Sequence, residues 1–147
     1  MRSCGREEWK KFSRYHYLNT SLSNSTQCYG LYDKDEIIGF CAVLHQPHPT
    51  NKKIKRCSRI VILPDYQGIG LGYKFLNVVA KRYTRKGYDF SIITSARNFI
   101  FRLSKSNKWA MTRLSKSKRS TTGKIDRYRS SLRTNCKTAS FFYVNDK

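Results

Sequence analysis

Three glycines at alternate positions, Gly68, Gly70 and Gly72, stand between an apolar run ending at Leu63 and a stretch with apolar residues every three to four positions. Glycine lets a main chain approach a ligand closely, and the first N–H groups of a following helix have no intrahelical acceptor. With the helix dipole, those groups suit a diphosphate. Spacing separates the known phosphate cradles. A P-loop ends in Gly-Lys-Ser/Thr, and here Tyr73 follows Gly72. A dinucleotide fingerprint needs Gly-x-Gly-x-x-Gly after its strand and earlier parallel βα units; these glycines are spaced by two throughout.

A second group of reactive side chains is the pair His45 and His48 in the phrase LHQPHP. Imidazole changes charge near neutral pH and can serve as base or acid. As metal ligands the pair lacks a second ligand pair, so no metal site is expected. Charge is the third feature. Thirty Lys and Arg against nine Asp and Glu leave a net +21 over 147 residues. The cations cluster at Lys52, Lys53, Lys55 and Arg56, at Lys81, Arg82, Arg85 and Lys86, and again beyond Arg102. The last stretch includes Lys116, Lys118, Arg119, Lys124, Arg127 and Arg129. Such density points to a polyanionic partner, with a generally basic solvated surface as the plainer alternative.

These groups need elements to hold them. The length fits one domain with a real core. Trp9, Phe12 and Tyr15 predict one or two short helices over 6–23, broken at Ser23, Asn24 and Ser25. Residues 26–33 and 36–45 read as strands around an Asp33-Lys34-Asp35 turn, and 55–63 as a strand entering a core. Leu71, Phe75, Val78, Val79 and Tyr83 predict an amphipathic helix with Lys74, Asn77, Lys81 and Arg85 on its other face, stopped by Gly87. A strand over 89–94, a short helix over 97–104 and a terminal strand pair, 108–115 with 138–144, complete the order. The expected class is α+β with a mainly antiparallel sheet flanked by helices. It divides into N-terminal helices (1–24), a core (26–115), a basic loop (116–137) and a terminal strand (138–144).

Cys4, Cys28, Cys41, Cys57 and Cys136 are odd in number and lack C-x-x-C spacing. Several lie in apolar segments, which suits reduced, buried thiols and a cytoplasmic setting. The opening MRSCGREEWKKF lacks the apolar core of a secretory signal, and no apolar run approaches the ~18–20 residues that span a bilayer. A monomer or homodimer without membrane contact is expected.

The hexapeptide Gln67-Gly68-Ile69-Gly70-Leu71-Gly72 resembles the Gln/Arg-x-x-Gly-x-Gly/Ala signature of the GNAT superfamily of N-acetyltransferases. The wider phrase RIVILPDYQGIGLGYKFL is similar to that family's fourth strand, loop and third helix, and the resemblance covers roughly residues 26–115. It implies acetyl-CoA, or another acyl-CoA, as cofactor. The N–H groups of Gln67, Gly68, Ile69, Gly70, Leu71 and Gly72, with Tyr73 next to them, would hold its diphosphate. Val61, Ile62 and Leu63 would pair with the pantetheine arm, one N–H polarising the thioester carbonyl. The fourth and fifth strands would splay into a V-shaped slot, and Asn98 matches an Asn that contacts the CoA arm.

The catalytic pattern departs from the family. Many members carry a Glu on the fourth strand; here the stretch is Cys57-Ser58-Arg59-Ile60-Val61. By alternation Arg59 shares a face with Val61 and Leu63, where it would hold a phosphate or acidic group or run to the sheet edge. The family's acidic Tyr is replaced in the Leu103-Ser104-Lys105 region, and Ser104 is a poor acid. His45 and His48, in a loop beside the family's acceptor site, are the remaining acid–base candidates. Asp65 and Tyr66 read as structural. The short basic form, the PHP loop and the LPDYQGIGLG phrase are similar to phage and mobile-element members, some of which act on DNA or tRNA. Three readings stay open: acyl transfer to nucleic acid or something held beside it, transfer to a protein lysine or small amine, and a non-catalytic module binding nucleic acid or a protein.

Overall fold

The computed structural model describes residues 1–16, 21–116 and 137–144. β1 (Arg2–Ser3) precedes the short helix α1 (Trp9–Phe12), which is flanked by 3-10 turns at Arg6–Glu8 and Ser13–Tyr15. β2 (Gln27–Asp33), β3 (Glu36–His45) and β4 (Ile54–Ile62) lead to a 3-10 turn at Pro64–Tyr66 and then α2 (Leu71–Thr84). β5 (Asp89–Thr94), α3 (Arg97–Ser104), β6 (Trp109–Lys116) and β7 (Lys137–Tyr143) follow. The expected class and order of elements are present. Residues 117–136 of the basic loop, Cys136 among them, lie outside the described residues.

The strands form one sheet in the order β1-β2-β3-β4-β5-β7-β6. All pairs are antiparallel except β4 with β5, because α2 carries the chain back across the sheet between them. β2 and β3 turn at Lys34 and Asp35, where Lys34 takes φ 51. The terminal pair runs as expected, with one addition: β7, not β6, lies beside β5.

Helices cover both faces. Phe75, Leu76, Val79 and Tyr83 of α2 and Leu103 of α3 pack on Tyr29, Cys41, Val43, Phe90, Ile92 and Phe141. On the other face Trp9 and Phe12 of α1 pack on Phe40, Ala42 and Val61. β3 shows why both faces are apolar: its side chains alternate, Cys41 and Val43 to one helical layer, Phe40 and Ala42 to the other. Each large apolar side chain buried in this way contributes about 1.5–3 kcal/mol.

Two positions on α2 differ from the periodicity. Val78 is half exposed, and Asn77 turns inward so that its Oδ1 accepts the Trp109 indole N–H at 2.7 Å. A buried indole needs an acceptor, and this one joins α2 to β6. Gly87 ends the helix at φ 78, its N–H donating to Thr84 O at 2.9 Å.

Candidate active site

The parallel ladder between β4 and β5 is short. It runs from Ile54 opposite Asp89 to Cys57 opposite Ile92, and beyond that point the strands separate. β5 continues on β7 and β4 continues on β3, so a cleft opens between them. Its cavity volume is about 680 Å³, within the ~300–1,000 Å³ common for small-molecule sites. The cradle 67–72 closes one end, the start of α3 adds Asn98, Phe99 and Arg102, and Tyr15 and His16 reach in from the α1 side.

The local chemistry of the cradle follows from its dihedrals. Gly68 and Gly70 take φ 88 and 81, a region that costs an L side chain about 1–2 kcal/mol. This curls the chain so that Gly70 becomes the N-cap of α2. The Gln67 N–H is already held by Pro64 O at 3.1 Å, and the first intrahelical bond is Lys74 N–H to Gly70 O. The N–H groups of residues 68–73 therefore meet no backbone acceptor among the described residues. The cradle thus starts one residue later than the signature suggests. Gln67 instead braces the turn, its side-chain amide donating to Ile62 O at 2.7 Å. Arg102 adds a charge: its guanidinium lies over the Tyr73 ring at 5.1 Å, with one Nη 3.7 Å from where a Cβ on Gly70 would stand. Six N–H groups, a helix N-terminus and a guanidinium fit a diphosphate.

Along the cleft, the N–H of Leu63 donates to Ile38 O at 2.9 Å. The pleat alternates these directions, so the N–H of Val61 also points at β3 while those of Ile60 and Ile62 face the cleft. Of the three residues expected to meet a pantetheine arm, Ile62 offers its N–H, and Ile60 joins it. Ser58 is the extra residue of a bulge opposite Ala42 and Val43, with its Oγ donating to Ala42 O at 3.2 Å. That bulge sits where the ladder with β5 ends, and bulges re-aim the neighbouring side chains.

Arg59 lines the cleft, half-buried on the face of Val61 and Leu63, and one Nη donates to Ser58 O at 2.8 Å. Tyr66 lines it too. Desolvation first, then the carboxylates of Glu36, Asp33 and Asp65, raise its phenol pKa, so it remains a neutral O–H at neutral pH. Tyr73 bonds its hydroxyl to Ser106 Oγ at 2.6 Å. Asn98 is exposed at the cleft wall.

The structure does not bring three expected residues here. His45 pairs with Lys55, and His48 sits in the β3–β4 loop, so both stand at the opposite end of β4 from the cradle. His48 Nδ1 accepts the N–H of Asn51 at 3.1 Å, which closes that loop. Ser104 folds its hydroxyl back onto Ile100 O at 2.6 Å. Two basic clusters that are separate in sequence instead converge. Because β4 and β5 are parallel, the loop with Lys52 and Lys53 meets the end of α2 with Arg85 and Lys86, and Asp89 N–H donates to Lys53 O at 3.0 Å. Lys52, Lys53, Arg85 and Lys86 are exposed, Lys55 and Arg56 half-buried, and Lys55 Nζ lies over the Tyr88 ring at 5.0 Å. Lys116 ends β6; Lys118, Arg119, Lys124, Arg127 and Arg129 lie outside the described residues.

Sequence reasoning missed Tyr15, His16 and Arg102 as wall residues. Arg102 carried a signal: it lies one helical turn beyond Asn98 on α3. Tyr15 and His16 carried none, since only the docking of α1 aims them.

The same fold is found in known proteins. The family model of the acetyltransferase (GNAT) domain matches residues 24–110. No curated protein matches the sequence. Among solved structures, the ribosomal-protein-S18-alanine N-acetyltransferase of Escherichia coli superposes with a TM-score of 0.68 at 13% identity, over 99% of this chain and 95% of that one. A Bacillus subtilis acetyltransferase in complex with CoA gives 0.61 at 13% identity, over 82% and 78%. A GNAT family acetyltransferase from Elizabethkingia anophelis with acetyl-CoA bound gives 0.60 at 15% identity, over 96% and 84%. No helix among the described residues is long and apolar enough to cross a membrane. At such identities the superpositions establish the fold, the family model spans more than half the chain, and the chain belongs to the GNAT acetyltransferase family.

Proposed function

We propose that this chain transfers an acyl group from acetyl-CoA, or another acyl-CoA, to an amine on nucleic acid or on a substrate held beside it. The observation that carries the first half is the open cradle at residues 68–73, with Arg102 beside it, at the mouth of the gap between β4 and β5. Those groups would bind the diphosphate. The N–H groups of Ile60 and Ile62 would align the pantetheine arm, and one of them would donate to the carbonyl oxygen as negative charge builds there. The cofactor supplies an activated carbonyl on a thiol leaving group; the chain's task is to orient it and to handle the amine's proton.

The acceptor reading rests on charge. The net +21 far exceeds what a diphosphate needs, and between described residues there is one ion pair, Lys11 with Glu8 at 3.4 Å. Most cations among the described residues therefore have no ion-paired carboxylate. The converged patch of Lys52, Lys53, Arg85 and Lys86 leaves the cradle clear and suits phosphate backbones. A second reading, transfer to a protein amine, draws on the fold shared with an enzyme named for acetylating an alanine of a ribosomal protein.

The test is label transfer from acetyl-CoA carrying a radioactive acetyl group, offered DNA, tRNA, total protein and a polyamine in parallel. Label in DNA or tRNA, or in an adduct bound to them, supports the proposal. Label confined to protein or polyamine moves the assignment to the second reading. Acetyl-CoA binding without label in any acceptor leaves a non-catalytic module.

A further inference from the structure

We infer that His16 is the proton carrier of the transfer reaction, an inference that rests on the acyl-transfer reading above. Among the described residues, the walls of the cleft hold no carboxylate. Their titratable or charged side chains are His16, Tyr15, Cys57, Arg59, Tyr66, Tyr73 and Arg102. Two are arginines and stay charged. The Cys57 thiol is engaged elsewhere, donating to Arg59 O at 3.4 Å with the Cys41 Sγ 3.7 Å away. The Tyr73 hydroxyl is tied to Ser106 at the cradle end. The ordinary phenol pKa near 10 is too high for a base at neutral pH. Imidazole is the one side chain in this set that gains and loses a proton there.

The fold also delivers His16 with care. Trp9 and Phe12 anchor α1 on Phe40, Trp9 tilted against its ring at 5.3 Å between centroids and Phe12 stacked on it at 5.7 Å. The helix ends in a 3-10 turn in which His16 N–H donates to Ser13 O at 3.1 Å, and His16 itself is extended at φ −101, ψ 127. Its ring meets the Trp9 indole edge-on at 5.6 Å and 65°. The imidazole is thereby oriented on the α1 side of the cleft, the side that carries Arg59. On α1 the charges are Lys10 and Lys11, the latter paired with Glu8 of the preceding turn at 3.4 Å; Arg14 lies over the Tyr15 ring at 4.7 Å.

Proton balance asks for one such group. Transfer forms a C–N bond and breaks the thioester C–S bond; the amine sheds one proton and the departing sulfur takes one. A ring nitrogen of His16 accepts the first and returns it as the second, so neither an oxidant nor a further co-reactant is required.

The experiment combines ring-carbon NMR of the three histidines, assigned through His16→Gln, His45→Gln and His48→Gln, with kinetics. Titrating with CoA, the inference expects the amides of residues 68–73 and the His16 ring signals to shift. With the acceptor found by label transfer, His16→Gln should lower kcat/KM about 10²–10³-fold and remove the acidic limb of its pH profile, with CoA affinity changed less than about threefold. Added imidazole should restore part of the activity of His16→Ala. Shifting amides with a silent His16 ring, or a His16→Gln enzyme within about threefold of the parent across pH, overturns the role of His16 and leaves the CoA reading intact. Silent amides overturn the CoA reading itself, and His16 with it.

Discussion

Gly70→Asp tests the cradle from inside. The new carboxylate would stand at the N-cap of α2, beside Arg102 and the open N–H groups. For the free protein the change is nearly neutral. The φ of 81 costs an Asp about 1 kcal/mol, while an N-cap carboxylate and the guanidinium return roughly as much. The Cβ meets nothing closer than an Arg102 nitrogen at 3.7 Å, so no clash adds to this. For a diphosphate the change is severe. A unit negative charge at ~5 Å repels another by about 3 kcal/mol at an effective dielectric near 20, or roughly two orders of magnitude in Kd. At acetyl-CoA of 100 times the parental Kd, binding stabilises the parent by about 2.7 kcal/mol, which is roughly 5–10 °C for a chain of this size. The same concentration then only equals the variant's Kd, stabilises it by about 0.4 kcal/mol and should move it by about 1–1.5 °C. Differential scanning fluorimetry with and without acetyl-CoA reads both numbers. A parent that does not shift, or a variant that shifts equally, refutes the cradle.

Other outcomes follow from the same geometry. Arg102→Gln should weaken acetyl-CoA binding about tenfold by calorimetry and flatten its salt dependence, with the unliganded Tm nearly unchanged because the residue is exposed. Reversing Lys52, Lys53 and Lys86 to Glu should lower tRNA or duplex affinity and reduce the slope of log Kd against log salt by up to about three, leaving acetyl-CoA affinity in place; an unaltered slope excludes that patch. Tyr83→Phe removes the hydroxyl that bonds the Tyr29 hydroxyl at 2.9 Å and donates to Gln27 Oε1, in a buried position, and should cost about 1 kcal/mol in urea unfolding. Cys4 is pushed from 9.0 up to about 12, by burial first and then by Cys28, Glu8 and Glu7. Its folded pKa is raised, so its contribution is complete below pH 9 and is lost between pH 9 and about 12. Thermal melts from pH 7.5 to 11 should fall above pH 9, and Cys4→Ser should lessen that fall.

Local signals make most of this molecule legible in its sequence. Gly68 and Gly70 had to be glycine because both adopt positive φ, and the two-residue turn at Lys34-Asp35 followed from polar residues between apolar strands. The period of α2 was readable from Phe75, Val79 and Tyr83, each in contact with the sheet. Long-range relations were not readable. Nothing around Arg2 and Ser3 announces a strand; they pair only because the Gly30 and Tyr29 edge is open to them. His45 and His48 drew notice by residue type, yet strand direction carries them away from the cleft. His16, one of three histidines in the chain, lies in an irregular segment whose place is set by two aromatic rings on Phe40.

The short ladder from Ile54 to Cys57 has a cost in the free protein. Past it, the sheet carries two inner margins whose donors and acceptors lack a neighbouring strand, the same exposure that makes outer margins sticky. A guest that lies in the gap and supplies amides of its own acts as a missing strand and knits the two halves into one. Amide protons of Ile60 and Ile62 should then exchange quickly when the gap is open and slowly when it is filled. Protein handled without such a guest should be the more prone to self-associate.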